Sequence, residues 1–213
     1  MTNPAAAERA LLCDLFLDVG PDAPTLSGEW TTRDLAAHLV VRERRPDAGP
    51  GILTNVLADY SEAVRRTEAA RPYEEIVERV REGPPRWSPM RVDAVDRVTN
   101  TIEFFVHHED VRRASPGWTP RLLDRDLELD LLRPFARGAR MLARKSPAGL
   151  ILEPSGHDPI VAKKTGPSEP TVTVRGPVGE LVLFMYGRQA HSVVDADGPE
   201  QAVRDVRSAP FGI

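Results

Sequence analysis

The sequence has very little cysteine and no long uninterrupted apolar run. Cys13 is the only cysteine among 213 residues, which excludes an intramolecular disulfide, so chemistry that needs a second thiol must take it from another molecule. No apolar run approaches the roughly 18 residues of a membrane span. The N-terminal segment places charged residues inside its apolar run, which is unlike a signal peptide. We therefore expect a cytoplasmic protein with no membrane partner.

A basic excess is also missing. The formal net charge is −4, and residues of both signs are interspersed along the chain, so the electrostatic footprint of a nucleic-acid-binding protein is absent. Only three of the 28 basic residues are lysine, a bias that indicates a GC-rich genome. A hydrophobic content of 41% is enough for a sizeable core. These features predict a globular protein without a nucleic-acid partner.

The first two-thirds of the chain has the apolar periodicity of helices. We predict helices over 4–19, from Thr31 or Thr32 to Pro46, over 51–72 and 73–83, from about 92 to 114 and from about 124 to 143. Four main helices with shorter ones between them favour an up-and-down bundle with one elaborated connection.

The pattern changes near Ser146. Short β-branched runs at 150–154, 159–164 and 171–176 are typical of strands, as is a possible strand within 191–197. An apolar helix is predicted within 176–188 and a terminal helix from 199 to 209. The sequence therefore predicts an α+β protein with a helical bundle over 1–145 and a small α+β domain over 146–213.

Three polar residues in the helical part suggest a metal site. Glu103 and His107 stand four apart on the longest predicted helix and therefore share one face, where apolar residues flank them. Leaving them buried without a partner would be costly, and a cation would satisfy both. His38, on another predicted helix, would supply a third ligand. Such a triad leaves coordination positions open, as catalytic ions require.

Plainer interpretations of these residues exist. Glu103 and His107 have the spacing of a surface ion pair, and His38 shares a stripe with leucines as core histidines do. Asp110 is either a solvated charge or an acceptor that orients the His107 imidazole. His108 points about 100° away from His107, so we exclude it from the site. Cys13 lies among core-like leucines and is interpreted as a packing residue.

A resemblance to a known family favours the metal site over the plainer interpretations. Trp30 precedes the run Asp34-Leu35-Ala36-Ala37-His38, and Glu-x-x-x-His follows on a later helix, at Glu103 and His107. This combination resembles the DinB-like superfamily of metal-binding four-helix bundles. The branch that it looks like is the mycothiol-dependent maleylpyruvate isomerase family, whose members add a small α+β domain after the bundle.

The resemblance implies a DinB-like bundle with His38, Glu103 and His107 as ligands of a divalent ion, most simply zinc. It also implies an isomerase or a thiol S-transferase that uses mycothiol, the low-molecular-weight thiol of GC-rich actinobacteria, on a small electrophile. Family members use an arginine of the second domain on an anionic substrate. Arg188 is the candidate for this role and Arg175 the fallback, although Arg188 could simply complement a helix dipole.

Other functions fit the same residues. A non-catalytic metal-binding protein, such as a sensor or binding module, would use the same triad, and an interaction protein without metal would make the triad coincidental. His157 and His191 fall in predicted loops and need no function. The sequence names neither the electrophile nor the oligomeric state.

Overall fold

The computed structural model describes residues 3–45, 58–88, 91–166 and 168–212. The chain divides into two compact units, Met1–Thr119 and Pro120–Ile213. The first unit is helical among its described residues, with α1 (Pro4–Val19), α2 (Thr32–Arg44), α3 (Ala58–Ala69), α4 (Tyr73–Glu82) and α5 (Asp93–Arg112). The second unit contains α6 (Arg125–Leu142), β1 (Gly149–Pro154), β2 (Ile160–Lys163), β3 (Thr171–Gly176), α7 (Val178–Met185), β4 (Asp195–Asp197) and α8 (Glu200–Arg207).

Most predicted elements are confirmed, several to within one or two residues. Helix α1 has the predicted bounds, because Asn3 accepts a hydrogen bond from the backbone N–H of Ala5 and Gly20 ends the helix with a positive φ of 82°. The possible strand within 191–197 is confirmed only for its last three residues. The predicted end of the second helix at Pro46 lies outside the described residues, as do residues 51–57 of the helix predicted over 51–72.

The core of the first unit lies between α1, α2, α4 and α5. Phe16, Leu35, Ile76 and Phe104, one from each helix, are all fully buried in it. Helix α5 is buried at polar as well as apolar positions. Asn100, for example, is as inaccessible as Phe104, at 0% exposure. A helix enclosed in this way must satisfy its polar side chains inside the protein.

The second unit is a four-stranded mixed sheet with helices against it. The strand order is β2-β1-β3-β4, in which β1 and β3 are parallel and the outer pairs are antiparallel. Alternate residues of the central strands, such as Leu150, Leu152, Val172 and Val174, are fully buried. This alternation is expected for strands with one covered face.

The division between the units differs from the sequence pattern. Helix α6 packs against α7 and β2 and therefore belongs to the second unit, whereas the pattern placed it in a bundle over 1–145. The change from helices to strands does come where it was predicted, since β1 begins at Gly149. The boundary between compact units, by contrast, falls between Thr119 and Pro120, because α6 buries its apolar face in the second unit. Among the described residues, none of the helices is long and apolar enough to cross a bilayer.

Candidate metal centre

His38 is positioned by the first turn of its own helix and by α3. Asp34 caps α2 by accepting a hydrogen bond from the backbone N–H of Thr31 at 3.1 Å. The guanidinium group of Arg65 donates to the other oxygen of Asp34 and lies 5.0 Å from the centre of the Trp30 ring. The Trp30 ring is in turn 5.1 Å from the His38 imidazole. His38 is 9% exposed, so these neighbours restrict its orientation.

Glu103 and His107 project from α5 toward His38. The Oε1 atom of Glu103 lies 3.3 Å from Nε2 of His107 and 3.5 Å from Nε2 of His38. The two imidazole rings are 5.5 Å apart, at an angle of 74°. One potential ligand atom from each residue lies within 4.8 Å of the others. The structure thus brings together the three residues that the sequence singled out.

The spacing of these atoms suits a metal ion. Two nitrogen or oxygen donors, each about 2.1 Å from a tetrahedral zinc ion, are about 3.4 Å apart. The distances of 3.3 and 3.5 Å from Glu103 Oε1 to the two imidazoles match this value. Two imidazole nitrogens and one carboxylate also form a donor set that zinc accepts, with a position left for a further ligand. The residues present therefore fit a divalent ion.

Asp110 holds the other nitrogen of His107. Its Oδ2 atom is 2.9 Å from Nδ1 of His107 and accepts a hydrogen bond from the Ser27 hydroxyl at 2.9 Å. Asp110 is fully buried, so its interpretation as a solvated charge is wrong. A carboxylate on Nδ1 favours the tautomer in which Nε2 carries the lone pair, as a metal-binding histidine requires.

The protonation states of Glu103, His38 and His107 depend on burial and on the contacts among them. Burial raises the pKa of Glu103, but hydrogen bonds from His107 and His38 outweigh this and bring it well below its ordinary value. Burial lowers the pKa of His38. Burial also opposes protonation of His107, but its hydrogen bonds to Asp110 and Glu103 prevail and raise the pKa of His107 to about 9. Glu103 is therefore ionised and His38 neutral near pH 7.5.

One residue beside the triad was not predicted from the sequence. The Nε atom of Arg42 lies 3.2 Å from Oε1 of Glu103, the atom that both imidazoles approach. Arg42 stands four residues after His38 on α2, the same spacing that separates Glu103 from His107 on α5. This spacing predicts that Arg42 and His38 share one face of the helix. The arginine adds a positive charge next to a candidate cation site.

Polar residues follow one another along α5 at intervals of four, three, four and three. They are Asp96, Asn100, Glu103, His107 and Asp110. This spacing keeps them on one face of the helix. Asn100 donates to Asp96 at 2.7 Å, and the Glu103–His107 and His107–Asp110 contacts continue the series. We call this set the polar seam of α5.

The remaining candidates belong to the second unit. Arg188 belongs to the second unit, where its NH1 group donates to the backbone oxygen of Tyr186. Arg175, on β3, forms an ion pair with Glu153. His157 pairs with Glu128 on α6.

Two residues that we excluded from the site are engaged inside the first unit. His108 Nδ1 lies 3.0 Å from Glu8 of α1 and is directed at this carboxylate rather than at the triad. Cys13 is fully buried in the core, as expected of a packing residue. Burial raises the pKa of the Cys13 thiol to about 12.

Comparison with known proteins yields one informative likeness. No protein-family model matches the chain, and no curated protein sequence matches it. The structure is similar to the crystal structure of a mycothiol-dependent maleylpyruvate isomerase, with a TM-score of 0.58 and 15% sequence identity. The likeness covers 91% of this chain and 90% of the other. At this identity it shows the fold alone: an α+β chain in which a helical bundle precedes a small α+β part.

Proposed function

We propose that this chain is a cytoplasmic enzyme that uses a divalent ion, zinc, and a low-molecular-weight thiol such as mycothiol. Its reaction would be isomerisation of a small electrophile or transfer of the thiol to one. The observation that carries the proposal is the convergence of His38, Glu103 and His107, with a ligand atom of each within 4.8 Å of the others. The fold likeness to a mycothiol-dependent maleylpyruvate isomerase supports the thiol-using branch of this proposal.

Two of the three side chains already have the charge states that ligands need, and His107, whose pKa is raised to about 9, would release a proton when the ion binds. Glu103 is ionised, and His38 is neutral because burial lowers its pKa. Asp110 accepts from Nδ1 of His107 and so directs the Nε2 atom at Glu103. A bound zinc ion would supply a Lewis-acidic centre that holds a thiol as its thiolate near neutral pH.

The reactive sulfur must come from outside the chain. Cys13 is the only cysteine, and it is fully buried with a pKa raised to about 12 by that burial. A thiol of this kind forms almost no thiolate at neutral pH and has no access to a substrate. An external low-molecular-weight thiol therefore fits the composition and the packing.

We further propose that Arg188 contacts an anionic group of the substrate, with Arg175 as the fallback. A guanidinium group suits this task because it stays charged and binds carboxylates through two parallel hydrogen bonds. Arg188→Met should then raise KM more than it lowers kcat, while Arg204→Met, an arginine of the exposed α8 surface paired with Glu200, should change neither. Equal kinetics for Arg188→Met and the wild type would reject this role.

Metal content tests the basis of the proposal. Protein purified without chelator should contain close to one zinc ion per chain, and His38→Ala, Glu103→Ala and His107→Ala should each lose it. His157→Ala is the matched control, because this histidine also pairs with a carboxylate but lies in the second unit. Metal-free wild-type protein that takes up no zinc on titration would reject the proposal.

Thiol chemistry tests the enzyme itself. Zinc-loaded protein would be incubated with mycothiol and a panel of small electrophiles that includes maleylpyruvate. Products would be separated by liquid chromatography and identified by mass spectrometry. The expected result is isomerised substrate or a thiol adduct, formed at least tenfold faster than with His38→Ala. Zinc binding without any turnover above that variant would instead indicate a non-catalytic metal-binding module.

A further inference from the structure

A positive side chain lies beside the proposed cation site. The Nε atom of Arg42 is 3.2 Å from Oε1 of Glu103, and the same oxygen lies 3.3 Å from His107 and 3.5 Å from His38. An ion held by these three residues would therefore have the guanidinium group as a near neighbour. Like charges at such a distance repel each other, and partial burial weakens the screening of that repulsion.

Arg42 is fixed in this position by a buried amide. Its NH1 group donates to Oδ1 of Asn100 at 2.5 Å. The amide nitrogen of Asn100 donates to Asp96 at 2.7 Å and approaches Glu43 at 3.3 Å. Asn100 is fully buried, so both ends of its side chain are engaged inside the protein. Movement of Arg42 away from the site would leave the Asn100 oxygen without this bond, which is costly when the group is buried.

The network continues to a buried ion pair that connects three helices. Arg9 of α1 binds Glu43 of α2 through two hydrogen bonds of 2.6 Å, and it also donates to the backbone oxygen of Val80 on α4. Arg9 and Glu43 are 7% and 5% exposed. Bidentate pairs of this kind have a well-defined geometry. The support of Arg42 is therefore rigid on the side away from the metal centre.

We propose that Arg42 is a positioning residue that sets the charge of the metal centre. This inference rests on the proposed function. The guanidinium group forms an ion pair with the carboxylate of Glu103 and so reduces the negative charge that this ligand offers to the ion. The protein then holds the ion less tightly than the triad alone would, and the ion keeps more positive charge for an incoming anionic ligand such as a thiolate. Such a site has a lower affinity for the ion, and the ion that it holds is more reactive.

The test compares zinc affinities of arginine variants at pH 8 by competition with a chromogenic chelator. Arg42→Met should bind zinc about tenfold more tightly than the wild type, because a like charge a few ångströms from the ion is removed, while Arg42→Lys, which keeps the charge, should stay close to the wild type. Arg44→Met is the matched control. Arg44 lies on the same helix with the same exposed side-chain fraction of 20%, and it pairs with Glu82. Its replacement should leave the affinity unchanged.

Several results would overturn the inference. Unchanged or weaker zinc binding by Arg42→Met would show that the charge does not oppose the ion. Equally tight binding by Arg42→Met and Arg42→Lys, or by Arg42→Met and Arg44→Met, would show that the charge at this position is not the cause. Melting temperatures in chelator identify any variant that is misfolded, and Arg42→Gln then replaces Arg42→Met. A wild-type protein that binds no zinc would overturn the proposed function and this inference together.

Discussion

Asp110 Oδ2 and His107 Nδ1 are 2.9 Å apart, in the interior of the first unit and only three residues apart in the sequence. The carboxylate determines which nitrogen of His107 is turned toward Glu103 and His38. It is itself held by the Ser27 hydroxyl, from the loop before α2. This contact makes the geometry of the candidate centre depend on a residue that need not touch the ion.

Asp110→Asn should weaken zinc binding by roughly 10- to 100-fold, the usual loss when the carboxylate behind a metal-bound histidine is replaced. The amide keeps the shape of the side chain but can present its NH2 group to the imidazole, which favours the other tautomer. Chelator competition measures the affinity. Asp14→Asn, an exposed partner of Arg81, should bind zinc like the wild type. Equal affinities for the two variants would contradict the role of Asp110.

Trp30 should report metal binding through its fluorescence. Its ring lies 5.1 Å from the His38 imidazole, so a Co²⁺ ion bound by His38 would quench its emission at short range. Titration of metal-free protein with Co²⁺ should decrease the tryptophan fluorescence to saturation at one equivalent. Trp30→Phe should lose most of the decrease. Trp87→Phe should retain it, because Trp87 is an exposed residue in the wild type, at 71%. Quenching that persists in Trp30→Phe would place the ion elsewhere.

The Arg9–Glu43 pair should be important for stability. Glu43→Gln leaves the guanidinium group of Arg9 buried against a neutral amide, with the carboxylate of Asp96 3.6 Å away. Loss of one partner of a buried pair costs about 3–5 kcal/mol in the free energy of unfolding, and we expect the lower end of this range because Asp96 still compensates part of the charge. Urea denaturation measures this loss. Glu82→Gln removes the partner of Arg44, where the glutamate side chain is 56% exposed, and should cost under about 1 kcal/mol. Similar losses for both variants would show that burial is not the cause.

Cys13 and Tyr73 should make the protein less stable at high pH. Burial raises the pKa of Cys13 from 9.0 to about 12 and that of Tyr73 from 10.0 to about 12. Because both pKa values are higher in the folded state, the unfolded chain loses these protons first. The stabilisation is fully present below pH 9 and is lost as the pH rises toward 12.

For Cys13 alone, the loss between pH 8 and pH 10.5 should be about 2 kcal/mol. Urea denaturation with a reducing agent at the two pH values measures it. Cys13→Ala should be less stable than the wild type at pH 8, because it leaves a small cavity, and the difference should shrink by about this amount at pH 10.5. Parallel curves for the two proteins would show that the thiol does not titrate in this window.

Local features of the fold were predictable from the sequence because they depend on neighbours in the chain. The bounds of α1 follow from the Asn3 cap and Gly20, and the spacing of Glu103 and His107 places them on one face of α5. The assignment of α6 to the second unit was not predictable. Its amphipathic pattern shows that one face is buried but not which unit buries it.

The contacts around the site were harder to predict from the sequence. A helical wheel gives the direction of Asp110 but not whether another element covers it, and the Ser27 contact joins residues 83 positions apart. The network that holds Arg42 also joins residues that are distant in the sequence, since Arg9 and Glu43 are 34 positions apart. Long side chains can reach several partners, so their ion pairs depend on tertiary packing rather than on spacing.

The polar seam of α5 also constrains how this chain can vary through evolution. Inserting or deleting one residue within α5 would turn everything beyond that point by about 100°, so that Asp96 and Asn100 would face one direction and His107 and Asp110 another. Point substitutions can be compensated by neighbours, but a shift of helical phase cannot. Length changes in homologous chains should therefore fall before Asp96 or after Asp110, with the fourteen-residue interval between them kept constant.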